Sequence, residues 1–128
     1  MTVLIDTHVL VWMDTDSSRL SPTAVGYFTN PNCTILLSVA SVWEVVIKAA
    51  KRKLALTADI DQVIRDIQNR NPLRLLPVDL PHALQLRALP AIHNDPFDRM
   101  LAAQAPVEGA VLLSADPIFK QYPIQSDW

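Results

Sequence analysis

Three short apolar runs restrict the fold of this chain more than any other feature: Val3-Leu4-Ile5, Thr34-Ile35-Leu36-Leu37 and Ala110-Val111-Leu112-Leu113. Each is continuous rather than alternating and rich in branched residues, which predicts strands covered on both faces. Helix-length segments separate them, and strands that alternate with helices are joined by crossovers. The expected class is therefore α/β, a three-layer α/β/α sandwich with a mainly parallel central sheet.

The punctuation between the runs supports this order. A helical segment is predicted to follow the first strand through Trp12. Ser21-Pro22 supplies an N-cap and an N1 proline for a helix to about Thr29, stopped by Asn30-Pro31. Further helices are predicted from about Ala40 to Lys51 and from Asp59 to Asn69. Leu73 to Val78 reads as a short strand weakened by Pro77, followed by a helix from Pro81 to Arg87. Asp95-Pro96 opens another helix, Asp116-Pro117 a short helical turn, and the tail YPIQSDW an edge strand.

The 128 residues suit one domain, 1-128, and the ten prolines are scattered singly with only two glycines, so no flexible linker is expected. Cys33, the single cysteine, lies in an apolar run and has no disulfide partner, which points to a buried thiol and a reducing compartment. Strand-like residues begin at Thr2, leaving no room for a secretory leader. The longest apolar run, Cys33 to Ala50, contains Glu44 and Lys48, so no membrane span is expected. A cytoplasmic location follows. A net charge of -2 argues against a general nucleic-acid coat and leaves only local contacts.

The acids carry the chemistry. Asp6 and Asp116 each follow an apolar strand, VLI and VLLSA, at the end where ligands gather in open parallel sheets. Glu44, one of two glutamates, is the only acid in the apolar helix VASVWEVVIKAA, with Lys48 four residues on as an ordinary ion-pair partner. In HNDPFDRMLAAQA, Asp95 is accounted for as the N-cap before Pro96. Asp98 is not, because it shares a stripe with Leu101, Ala102 and Ala105 and so points to the interior rim. Capping would also explain Asp116.

Brought together, four carboxylates repel by roughly 4 kcal/mol per pair at 4 Å for an effective dielectric near 20. An oxygen-only set without thiolates or a histidine cluster suits Mg2+ or Mn2+ as the compensating charge. Such an ion activates water and neutralises charge during in-line attack on a phosphodiester, so cleavage of a nucleic-acid backbone is the expected reaction.

The segments DTHVLVW (6 to 12), SVWEVVIKAAKRKLAL (41 to 56), HNDPFDRMLAAQA (93 to 105) and LLSADPIFKQYP (112 to 123), with the terminal Trp128, resemble a PIN-domain ribonuclease, specifically a VapC-like toxin of a type II toxin–antitoxin pair. The resemblance implies a PIN fold, Mg2+- or Mn2+-dependent endoribonuclease activity on RNA, a cognate antitoxin and a homodimer. It assigns Asp6, Glu44, Asp98 and Asp116 as metal-binding and catalytic acids, with Asp95 as an outer or alternative member. Thr7 and Ser114 have hydroxyls placed to brace these carboxylates, and Arg99 is a candidate for a salt bridge across the site or a substrate contact. The chain departs from the family in having Arg52 where a glycine is common, and Pro106 inside a helix that it is expected to end or kink.

Of the remaining residues, His8 and His93 read as packed, hydrogen-bonded histidines. Lys48, Lys51, Arg52 and Lys53 suit a helix C-terminus and can guide RNA, and Trp12 and Trp43 read as core or dimer-contact aromatics. A haloacid-dehalogenase-like protein would want a second aspartate where His8 stands, and a receiver an acidic pair beside its acceptor. A non-catalytic PIN-like protein-binding module is the alternative from another class.

Overall fold

The computed structural model describes residues 1–128. Its elements, in chain order, are strand β1 (Thr2–Ile5), helix α1 (Thr7–Thr15), a 3-10 turn, α2 (Pro22–Thr29), β2 (Thr34–Ser38), α3 (Val39–Ala50), α4 (Ile60–Arg70), β3 (Leu73–Leu76), α5 (Leu80–Gln85) with a further 3-10 turn, α6 (Pro96–Val107), β4 (Val111–Leu113), the 3-10 helix Pro117–Gln121 and β5 (Ser126–Asp127). All five strands are parallel, in the order β3-β2-β1-β4-β5. The sequence reading of a parallel sheet between two helical layers holds, including the edge strand in the tail.

Strand pleating sorts successive apolar residues to opposite faces. Val3, Ile5, Ile35 and Leu37 join Val9, Leu10, Val63 and Ile67 in one core. Leu4, Leu36 and Leu112 join Leu101, Ala102 and Phe119 in the other. Cys33 is buried, and burial pushes its thiol pKa up, in keeping with a small core hydrophobe.

Helix boundaries follow local chemistry. The Ser21 hydroxyl accepts from the Ala24 amide at 3.0 Å with Pro22 at N1, as the sequence predicts. Two helices end in the same reciprocal pattern. After α6, the Gly109 and Ala110 amides return to the carbonyls of Pro106 and Ala105, with Gly109 at φ 62. After α3, the Arg52 and Lys53 amides return to Ala49 and Lys48, with Arg52 at φ 55. A left-handed conformation suits glycine, and in a residue with a Cβ it costs roughly 1 kcal/mol. The Arg52 departure therefore keeps the turn and adds a cation to it. Pro106 falls in the last turn of α6, which ends one residue later, so its missing amide disrupts little of the helix.

The sheet order also fixes where a ligand can sit. The chain runs outward from β1 through β2 to β3 and then returns to the opposite side of β1 with β4. The crevice at the carboxyl ends of β1 and β4 is thus the topological switch point. Asp6 follows β1 there, and Ser114 and Asp116 follow β4.

Candidate active site

Asp6 leaves β1 as the N-cap of α1, its Oδ1 accepting from the Thr7 amide at 2.6 Å. The other oxygen, Oδ2, accepts from the Ser114 hydroxyl at 2.6 Å and faces His8 Nδ1 at 3.0 Å. His8 Nε2 accepts the Ala115 amide at 3.2 Å, so the ring proton of the neutral imidazole belongs on Nδ1, where it donates to Asp6. Three donors thereby hold a carboxylate that is almost completely buried. His8 is the packed, hydrogen-bonded residue the sequence suggested, and its partner is the first acid.

Glu44 projects from α3 and is 4% exposed. Lys48, one turn on, reaches its Oε2 at 2.5 Å, while Oε1 is buried without any partner. The i,i+4 ion pair therefore exists, with its lysine part-exposed at the edge and its glutamate buried, unlike an ordinary surface pair. The bond to Glu44 is the largest cause of a raised Lys48 pKa; burial opposes it, and the charges of Glu44, Asp95 and Asp98 add to it.

Asp98 lies in the first turn of α6, half-buried on the rim that its helical stripe predicted. Burial is the main reason its pKa rises from 3.8 to about 6; a hydrogen bond from His93 lowers it, and Asp6, Asp95 and Glu44 raise it. Asp6, Glu44 and Asp95 thus lie near enough for their charges to act on Asp98. Asp95 caps α6, accepting from the amides of Phe97 and Asp98 at 2.9 and 3.1 Å. Asp116 is exposed and caps its 3-10 helix through the Ile118 amide at 3.0 Å, so the capping reading holds for both.

Asp6, Glu44, Asp95, Asp98 and Asp116 nevertheless line one cleft of about 420 Å³, together with Lys48 and Lys53. No three of its acids are yet at metal-coordinating spacing. Asp6, Glu44 and Asp98 are instead turned to Ser114 and His8, to Lys48, and to His93 respectively. The donor set fits a hard divalent ion: it is all oxygen, and Glu44 Oε1 is a buried acceptor without a hydrogen-bond partner.

Two expectations are corrected. The Thr7 hydroxyl braces no carboxylate; being buried, it donates instead to Ser41 Oγ at 3.0 Å across the α1–α3 contact. Arg99 makes no ion pair across the site, because its guanidinium turns to the Pro90 carbonyl at 2.9 Å and the Tyr122 hydroxyl at 3.2 Å. Ser41 and Tyr122 were not singled out from sequence. Ser41 stands one turn before Glu44, a detectable signal, whereas Tyr122 is 29 residues from the His93 ring it touches at 2.6 Å.

The fold and cleft define a class, an α/β sandwich with an acidic crevice at its switch point. A family model for the PIN domain matches residues 3–125, so the chain belongs to the PIN-domain family. Members of that family are generally nucleases that use divalent metal ions. A chain of the VapBC2 complex of Rickettsia felis, bound to a DNA fragment from its promoter, superposes with a TM-score of 0.73 at 17% identity, covering 99% of this chain and 98% of that one. A chain of DNA-bound VapBC from Salmonella typhimurium gives 0.71 at 17% identity, over 99% and 97%. A chain of FitAcB from Neisseria gonorrhoeae gives 0.62 at 21% identity, over 98% and 96%. At these identities the likeness is one of fold. No curated protein matches the sequence.

Proposed function

We propose that this chain, as a single PIN domain, is a metal-dependent endoribonuclease toxin of the VapC kind, held inactive in the cytoplasm by a cognate antitoxin. The observation that carries the reading is the convergence of Asp6, Glu44, Asp98 and Asp116 on one cleft, with a buried carboxylate oxygen of Glu44 lacking any partner. Asp6, Glu44 and Asp98 would hold Mg2+ or Mn2+, and Asp116 would join them at the exposed side. The bound ion would supply an activated water and neutralise charge on the phosphodiester. Ser114 and His8 keep Asp6 oriented, and Lys48 is paired with Glu44. Lys53, at the mouth beside the exposed Lys51 and Arg52, offers the local positive charge that an RNA backbone needs in an otherwise acidic protein.

The test is incubation of the antitoxin-free chain with total RNA, with and without Mn2+ or Mg2+. Cleavage at discrete sites that stops on chelation supports the proposal. Absence of both cleavage and saturable metal binding would favour the non-catalytic binding module.

The raised Asp98 pKa gives a pH dependence. A carboxyl whose folded pKa lies above its unfolded one contributes stability that is full below about 4 and lost as pH rises through about 6. Metal needs the carboxylate, so Mn2+ affinity is expected to rise by roughly tenfold per pH unit across that window and to level off above it. Calorimetric titration from pH 4.5 to 7.5 measures this, and a flat profile would show that Asp98 takes no part in binding.

A homodimer is proposed from a different face. Trp43, 63% exposed, lines an apolar pocket of about 380 Å³ together with Val39, Val78, Phe97 and Met100. Contiguous exposed apolar side chains of this kind mark a candidate interaction site. Trp43→Glu is expected to convert a dimer to monomers in sedimentation velocity, and a monomeric parent chain would contradict the proposal. An antitoxin arginine is expected to compete with metal for the carboxylates; unchanged Mn2+ affinity in the purified complex would count against it.

A further inference from the structure

One hydrogen-bonded chain joins three segments behind the cleft. Arg99 Nη1 donates to the Pro90 carbonyl and to the Tyr122 hydroxyl, Tyr122 Oη lies 2.6 Å from His93 Nδ1, and His93 Nε2 lies 3.1 Å from Asp98 Oδ2. Its direction follows from the groups themselves. A guanidinium only donates, so the Tyr122 oxygen accepts from Arg99 and turns its own hydrogen to His93 Nδ1. The ring proton is then on Nε2, which donates to the Asp98 carboxylate. A neutral imidazole satisfies every bond in this arrangement.

The far end is well anchored. Tyr122 is buried in the second core, and its ring meets that of His93 edge to face with centroids 5.6 Å apart. The Arg99–Pro90 bond ties down the segment leading to His93. Asp98 thus takes its orientation from the core through two side chains, whereas its own helix supplies only a position. The His93 bond engages Oδ2 and leaves Oδ1 uncommitted. Asp6 is treated in the same way, with His8 clamped by a backbone amide in place of a tyrosine.

From this geometry we infer that His93 and Tyr122 are positioning residues that set the Asp98 carboxylate for metal binding, with Arg99 orienting the tyrosine. The inference rests on the proposed role of Asp98 as a metal ligand. Partners that orient ligating carboxylates typically contribute roughly 10- to 100-fold in metal affinity or activity.

The experiment is Mn2+ titration of the antitoxin-free chain and of His93→Ala, His93→Gln and Tyr122→Phe, with circular dichroism and thermal midpoints on each. His93→Ala is expected to weaken Mn2+ binding by roughly 10- to 100-fold. His93→Gln, which can return an amide N–H towards Asp98, should recover most of the loss. Tyr122→Phe keeps the ring packing and should weaken binding by less, in the same direction, and it decides the matter if His93→Ala does not fold. Equal Mn2+ affinity in the parent and in all folded variants would overturn the relay while leaving the metal site standing. A folded parent chain that binds no Mn2+ would overturn the metal reading and the relay with it.

Discussion

Asp6→Asn is expected to reduce metal-dependent RNA cleavage by more than about 100-fold without unfolding the chain. The size follows from position, since orienting partners of a ligand cost up to roughly 100-fold and a direct ligand should cost more. The preserved fold follows from capping. Asparagine is as good an N-cap as aspartate, so the bond from the Thr7 amide survives. The change removes a buried charge from a cleft that also holds Glu44 and Asp98, but it turns an amide NH2 towards the His8 Nδ1–H and the Ser114 hydroxyl, so metal-free stability is expected to fall by no more than about 1–3 kcal/mol. RNA cleavage with circular dichroism on the same sample checks both halves. Unchanged cleavage would show that Asp6 is a structural cap; lost cleavage with a lost fold would show that its charge is needed by the fold.

Phe119→Ala carries the largest expected cost to stability, about 3–5 kcal/mol, as for other large buried aromatics cut to a methyl. Phe119 is completely buried in the second core, with its ring 6.4 Å from that of Tyr122. It anchors the 3-10 helix that Asp116 caps, so the void would open beside the relay to Asp98 and beneath the fourth acid. For a chain of this length the loss corresponds to a fall in thermal midpoint of about 10 °C or more. A denaturant titration yielding a loss under about 1 kcal/mol would mean that the pocket closes over the missing ring.

What could be read without a structure was local or periodic. Continuous apolar runs identified Val3 to Ile5 and Thr34 to Leu37 as buried strands, because only a sheet covered on both faces needs apolar residues in succession. Ser21-Pro22, Asp95-Pro96 and Asp116-Pro117 marked helix starts through bonds spanning two or three residues. Glu44 and Asp98 stood out because an acid on an apolar stripe violates the burial pattern, and the strand-end positions of Asp6 and Asp116 placed them at the same edge of the sheet.

Side-chain partners distant along the chain were not legible. Thr7 was expected to brace a carboxylate and instead meets Ser41; Arg99, a candidate for a salt bridge across the site, a substrate contact or a structural ion pair, makes no ion pair and holds Tyr122. Neither pairing leaves a trace in spacing, since it depends on how α1 lies against α3 and how the C-terminal segment returns beside α6. The strands, the helix caps and the anomalous acids were legible because they rest on bonds and patterns within a few residues. Which oxygen of each acid is held, by which histidine and from which anchor, came from packing, because a hydrogen bond needs two groups within about 3 Å in the right direction. Packing alone sets that for residues as far apart as Asp6 and Ser114.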